Sequence, residues 1–297
     1  MIKAEVPIVL YGDSDSNSRI GNKLASVIYA TAILEKIKEG RIYGFKIPEL
    51  GIEFEEFSVK KEKGKSLYVN KHNMSPQLVA DLVKFGKYSS VHIQTNGLYY
   101  PNFSNQLPHW QAHFKSLKLN KSLIINDDEI LLNIRANEII GRLKHEDYAP
   151  LPIEFYEWVV KSTGLKPVFV GQFEPSVYLD MLKVKFPNSK MHNLKPLEAF
   201  ECLLNAKNKV LSTSTFSWYA AWLGRKDSNI IMPLSGYANP LQRADINLIP
   251  SMDDRYHFVW MHPLKRSVFR GLKAHLKYIH EKSKPYQKYQ KIEQHSS

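Results

Sequence analysis

Residues 212–215 read Ser-Thr-Ser-Thr. They lie between "NKVLS" (208–212), which reads as a buried strand, and "TFSWYAAWLG" (215–224), which reads as a helix. Hydroxyls at such a turn have a defined chemistry. A helix N-terminus presents backbone N–H groups without intrahelical partners, and the positive end of its dipole favours an anion. Ser212, Thr213, Ser214 and Thr215 can add hydrogen bonds to phosphate oxygens there. One Ser or Thr in the same place also serves as an ordinary helix N-cap, so that reading stands beside the first. No glycine-rich phosphate loop occurs in the chain, which argues against ATP or GTP hydrolysis.

Two other groupings could bind metal. Asp13 and Asp15 follow the first apolar run, and carboxylates at that spacing can hold Mg²⁺ or Mn²⁺ against a diphosphate. Asp and Ser are also common loop residues, and a polar loop is the preferred reading of "DSDSNSR". His109 and His113, in "HWQAH", lie one helical turn apart, as zinc ligands can. No Glu follows the first His and no third ligand is evident, so an amphipathic helix is preferred.

The elements that would place these residues follow from periodicity. "VPIVLYG" (6–12) reads as a buried strand and 20–37 as a helix with apolar residues at three- and four-residue spacing. "GRIYGF", "SLYVN" and "VHIQTN" suggest further strands around a helix at 75–86, with Ser75 as cap and Pro76 at its first position. From residue 125 onward the alternation is regular. Strands are expected at 129–135, 166–171, 208–212 and 229–234. Helices are expected at 151–164 (ending on Gly164), 175–186, 196–207 and 215–224. Alternation every ten to fifteen residues implies a parallel sheet covered on both faces.

Composition sets the class. The 297 residues are 43% apolar and 24% charged, as in a well-packed globular protein. The single cysteine, Cys202, builds no disulfide framework and fits a reducing compartment. The start has too short an apolar run for a signal peptide, and no run approaches eighteen apolar residues. The net charge is +12. Residues 263–297 hold nine Lys/Arg against two Glu, a net of +7. Within them, Leu264, Val268, Leu272, Leu276 and Ile279 line one side of an expected basic amphipathic helix (264–280). Such a helix suits an anionic membrane surface, or packs across the domains with a solvated basic face. Residues 281–297 read as disordered. The charge and the 12% aromatic content also admit a noncatalytic nucleic-acid-binding protein. No nucleic-acid-binding motif appears, however, and the excess charge sits in the tail, so no nucleic-acid partner is expected.

Four stretches, in order, resemble one family. "NKVLSTSTFSWYAAWLG" resembles the Ser-Phe-Ser-Trp motif of α-1,2-fucosyltransferases and their bacterial polysaccharide relatives. "PLEAFECLL" before it is similar to the helix leading into that motif. "SRIGNKLASVIYATAIL" (18–34) resembles the family's N-terminal Gly-Asn-Gln loop and first helix. "ILLNIRANE" (130–138) stands where the family has a strand ending in His-x-Arg-Arg-Gly-Asp, and "YAPLPIEFYEWVV" resembles the segment after it. At the Arg-rich motif Asn133 occupies the His position, Arg135 keeps the first Arg, and Ala136, Asn137 and Glu138 replace the rest. Gly171-Gln172-Phe173 stands in place of Ser-Asp-Asp.

The resemblance implies an inverting, metal-independent glycosyltransferase of the GT-B fold, with two Rossmann-like domains facing a cleft. It places an acceptor domain at 1–124, a nucleotide-sugar donor domain at 125–262, and a basic tail at 263–297. It implies donor contacts from Gly21, Asn22, Gln172, Glu198 and the hydroxyls 212–215. Arg135 would bind the departing nucleoside diphosphate, although a surface Arg ending a strand is the plainer reading beside it. Glu138, chosen over Glu146 and Asp147, would take the acceptor's proton, although each of the three carboxylates reads first as a solvated surface charge. The implied partners are a nucleotide sugar (GDP-fucose-like, with base and sugar left open) and a polysaccharide or lipid-linked glycan. The implied place is the cytoplasm, peripheral at the inner face of a membrane. A metal-dependent GT-A transferase using "DSD" is the alternative transferase.

Overall fold

A computed structural model describes residues 6–10, 20–58, 64–117, 123–135, 150–172, 175–261 and 290–292. The chain divides into two compact units: Met1–Lys118 with Asp245–Ile249, and Leu119–Ala244 with Pro250–Ser297. Both have parallel sheets flanked by helices, compatible with a Rossmann-like fold.

The first unit contains β1 (Val6–Leu10), α1 (Ile20–Ile37), β2 (Gly40–Tyr43), the short hairpin β3 (Lys46–Ile47) and β4 (Ile52–Glu53), β5 (Lys65–Val69), α2 (Pro76–Gly86), β6 (Tyr88–Ile93) and α3 (Leu107–Ser116). Its main sheet has the order β2-β1-β6-β5, all parallel. The crossovers β1–α1–β2 and β5–α2–β6 run in the same direction, so right-handed connections place α1 and α2 on one face. The two helices pack together there. Ser75 caps α2 by accepting the Leu78 N–H at 3.1 Å, with Pro76 in the first turn, as the sequence predicts. Gly97 has φ +59° and lies against the Tyr29 ring, where any Cβ would collide.

The second unit contains β7 (Glu129–Arg135), α4 (Ile153–Thr163), β8 (Lys166–Gln172), α5 (Val177–Lys185), β9 (Lys190–Asn193), α6 (Pro196–Asn205), β10 (Asn208–Val210), α7 (Thr215–Leu223), β11 (Asn229–Leu234), β12 (Tyr256–Trp260) and β13 (Gln290–Ile292). The sheet order is β13-β12-β11-β10-β7-β8-β9. Every pair is parallel except β12–β13. Strand β13 corrects one expectation: within 281–297, residues 290–292 pair with Trp260, Val259 and Phe258. The expected helix at 264–280 lies outside the described residues.

Alternation along β7 divides its side chains between two faces. Ile130, Leu132 and Ile134 join Phe155, Tyr156 and Val159 of α4, and Tyr178 and Leu182 of α5, in one core. Each such buried side chain contributes about 1.5–3 kcal/mol. Leu131, Asn133 and Arg135 face the other way. So does Lys209 of β10, in register with Leu131, and its ammonium reaches the Leu203 carbonyl of α6 at 2.7 Å. The chain goes β7–β8–β9 in one direction, then crosses to build β10, β11 and β12 on the other side of β7. Right-handed crossovers therefore put α4 and α5 on one face and α7 on the opposite one.

Lys209 is fully buried. Desolvation, reinforced by the nearby Arg255 and Arg225 cations, lowers its pKa from 10.5 to about 7. Arg255 is fixed by Asp253 at 2.7 Å and donates to the carbonyls of Trp222, Gly224 and Arg225, closing the C-terminus of α7. Gly224 is required by crowding: a Cβ there would stand 2.5 Å from the Leu204 carbonyl and 3.1 Å from the Lys209 ammonium.

Between pH 7 and 10 the unfolded chain protonates Lys209 while the folded chain releases that proton, so folding stability rises with pH. The slope approaches about 1.4 kcal/mol per pH unit. Burial pushes the Cys202 thiol up to about 12, which opposes this trend once unfolded thiols ionise near pH 9. Urea unfolding at pH 7 and pH 9 should therefore show wild type gaining about 2–3 kcal/mol relative to Lys209→Met. Lys209→Met should also be the more stable protein at pH 7. Equal pH dependence in both would rule out a neutral buried lysine.

Candidate functional site

In an open α/β sheet the ligand crevice lies outside the carboxyl ends of the strands where their order reverses. In the second unit that place is between β7 and β10. β7 ends on Arg135, and β10 runs out into Leu211, Ser212 and Thr213. Two hydrogen bonds span the junction. Arg135 Nη1 donates to the Thr213 carbonyl at 2.9 Å, and Ser212 Oγ donates to Asn133 Oδ1 at 2.6 Å. Arg135 and the hydroxyl turn, 78 residues apart in sequence, meet at the reversal point.

The four hydroxyl residues are all buried, but they do different work. Ser212 is engaged with Asn133. Ser214 is the N-cap of α7: its Oγ accepts the Phe216 N–H at 3.2 Å, and its carbonyl accepts the first i→i−4 bond, from Trp218 N–H at 3.0 Å. Thr215 opens the helix. Thr213 Oγ1 is buried without a hydrogen-bond partner among the described residues, although the residue is only 4% exposed. Buried hydroxyls in native proteins are usually hydrogen-bonded, and an ordered water or a bound ion can supply the partner. The N–H groups of the first turn of α7 lack i−4 carbonyls, so the helix dipole, the Arg135 cation and the Thr213 hydroxyl meet at one edge. That arrangement can hold an anion.

Other residues singled out in the sequence fall as follows. Gln172 ends β8 in backbone register with Arg135, at the same carboxyl edge. Glu198 lies in the first turn of α6, and its Oε2 accepts the Lys195 N–H at 3.0 Å, which is helix-capping work. Gly21 and Asn22 belong to the first unit and stand inside the first turn of α1, a helix where the resemblance implies a loop. The Asn22 carbonyl accepts Ser26 Oγ at 3.2 Å, and Ser26 also reaches Asn96 Oδ1 at 3.2 Å. His113 is bonded to the Leu50 carbonyl at 2.9 Å, and both histidines of α3 make edge contacts with Trp110. Glu138, Glu146, Asp147, Asp13 and Asp15 lie outside the described residues. Among the described residues no group of three or more His, Cys, Asp or Glu is placed to hold a metal.

Two partners in the site went unassigned in the sequence, Asn133 and Ser217. Ser217 stands three residues after the Ser214 cap, which directs it back toward the strand end. Its Oγ has one proton, for which the carbonyls of Ser212 at 3.0 Å and Ser214 at 3.1 Å are alternative acceptors.

A groove of about 620 Å³ opens at the opposite, amino edge of the sheet, lined by Glu129, Lys166, Phe186 and Lys190 among others. Its two lysines are already paired, Lys166 with Asp128 at 2.8 Å and Lys190 with Glu129 at 2.6 Å. It therefore offers an anion much less than the carboxyl edge does.

No protein-family model matches the chain, and comparison with curated proteins finds no match. No helix among the described residues is long and apolar enough to cross a membrane.

The division of labour among the hydroxyls can be read in stability. Ser212→Ala strands the Asn133 carbonyl oxygen in a buried place and should cost about 1–3 kcal/mol. Ser214→Ala should cost about 0.5–2 kcal/mol as a lost cap. Thr213→Val removes a hydroxyl without a partner among the described residues and should cost less than either. Urea denaturation of the three variants checks this order. A Thr213→Val loss as large as that of Ser212→Ala would mean the hydroxyl has an internal partner.

Proposed function

We propose that this protein is an inverting, metal-independent glycosyltransferase of the GT-B kind. It would move a sugar from a nucleoside-diphosphate donor to a hydroxyl of a surface glycan. The observation that carries the reading is the convergence of Arg135, the α7 N-terminus and the Thr213 hydroxyl, which has no partner among the described residues, where the strand order reverses. The order and spacing of the "STSTFSW" and "ILLNIR" stretches support it.

In this reading the donor's diphosphate lies against the first turn of α7 and Thr213 Oγ1. The acceptor oxygen bonds to the anomeric carbon while the bond from that carbon to the diphosphate breaks. The electron pair leaves on the terminal phosphate, where Arg135 offsets the growing negative charge. Arg135 thus supplies the cation that a metal provides in other transferases. The acceptor proton goes to a carboxylate, for which Glu138 is the proposed group. Gln172, at the same edge, would lie toward the base. The basic segment 263–297 would bring the enzyme to the anionic inner face of a membrane carrying a lipid-linked glycan acceptor.

Arg135→Ala should lower transfer on the order of 10²–10³-fold with the fold retained, and Arg135→Lys should recover only part, lacking the planar fork. Thr213→Val should weaken nucleoside diphosphate binding about tenfold or more, with the nucleoside alone little affected. Calorimetry with paired ligands (GDP, UDP or TDP against the matching nucleoside) and a donor-turnover assay in excess EDTA test the reading. Near-normal turnover by a soluble Arg135→Ala variant would sink it.

A further inference from the structure

We propose that Asn133 is a positioning residue: acting through Ser212, it sets the turn so that the Thr213 hydroxyl is presented to the anion. The proposal rests on the reading of this edge as a diphosphate site and adds what fixes its shape.

Asn133 is 5% exposed and sits two residues before Arg135 on the same face of β7. Its amide is oriented from both ends. Nδ2 donates to the Val170 carbonyl of β8 at 3.1 Å, which leaves Oδ1 directed at β10, where it accepts Ser212 Oγ at 2.6 Å. A flipped amide would set Oδ1 against the Val170 carbonyl and lose that bond. Ser212 has one proton, and the bond to Asn133 uses it. Toward Ser217 Oγ, 3.2 Å away, Ser212 can therefore only accept. Ser217 also has one proton, for which Ser212 Oγ and the Ser212 and Ser214 carbonyls, at 3.0 and 3.1 Å, are alternative acceptors. The residues on both sides of Thr213 are thus pinned, one to β7 and the other as the helix cap. What Thr213 has left is a carbonyl bound to Arg135 and a hydroxyl without a partner among the described residues. Buried networks of this kind confer rigidity when every member is satisfied. Asn133, Ser212 and Ser217 do not titrate in the ordinary pH range, so the shape of the turn should not change with pH.

The experiment measures binding of pyrophosphate, and of GDP, UDP and TDP with their nucleosides, by calorimetry well below the melting temperature. The proteins are wild type, Asn133→Ala, Ser217→Ala, Thr213→Val and the Asn133→Ala/Thr213→Val double variant. Ser217→Ala disturbs the same relay from the helix side and keeps the test open if Asn133→Ala folds poorly. The expected result is a loss of about tenfold or more in pyrophosphate and diphosphate affinity for Asn133→Ala and a smaller loss for Ser217→Ala. Nucleoside affinity should be unchanged. The double variant should lose much less than the product of the two single losses, because both act on one contact. If wild type binds and Asn133→Ala binds equally well, or its loss multiplies with that of Thr213→Val to within about twofold, Asn133 has only a structural role and the proposal is overturned while the diphosphate site stands. If wild type binds neither pyrophosphate nor any of the diphosphates, the site reading falls and this proposal falls with it.

Discussion

The hydrogen bond from the Arg135 guanidinium to the Thr213 carbonyl joins two strand ends where the strand order of the second unit reverses. That reversal makes the bond possible. Strands built outward in both directions from β7 leave its end and the end of β10 as neighbours. Arg135 is held there against a backbone oxygen, and the N-terminus of α7 begins two residues beyond that oxygen. In the proposed site an anion would meet this cation and the helix dipole already in place, so that little reorganisation would be needed.

The rest of the unit keeps α7 in that place. Its residues from Ser217 to Leu223 are all buried, with Trp218 and Trp222 stacked at 5.6 Å and Tyr219 edge-on to Trp218 at 4.8 Å. At its N-terminus Ser214 and Ser217 bind the turn. At its C-terminus Arg255 gathers three carbonyls, and Lys209 fills the crowded space beside Gly224. Lys209 is the middle residue of the strand that leads into the hydroxyl turn. Burial of this lysine, which lowers its pKa, costs stability at neutral pH, and its ammonium reaches the Leu203 carbonyl of α6.

Much of this was legible in the sequence where physical signals were strong. "EILLNIR" and "NIIMPL" are apolar runs of strand length, and they form β7 and β11 at the expected bounds. The helix before Gly164 ends on that glycine at φ +68°, because only a residue tolerant of the left-handed region closes a helix so cheaply. "KMHN" gave no signal, since β9 is an edge strand without a fully buried residue. β12, "YHFVW", follows a polar turn and was not separated from it. β13 is polar and exists because β12 offers an edge to pair with. The strand order, which brings Arg135 to Thr213, is a long-range property that local periodicity does not carry.

The site was legible in part. Arg135 and 212–215 were singled out and meet, whereas the different tasks of four adjacent hydroxyls depend on distant partners such as Asn133 and could not be read locally. A crystal structure of the protein with the nucleoside diphosphate that most raises its melting temperature tests the central claim most directly. The expected result places the phosphates within hydrogen-bonding distance of the first-turn N–H groups of α7, with Thr213 Oγ1 and Arg135 donating to them. Phosphates bound at the amino edge, beside Lys166 and Lys190, or an occupied complex in which Thr213 Oγ1 stays unbonded, would contradict it.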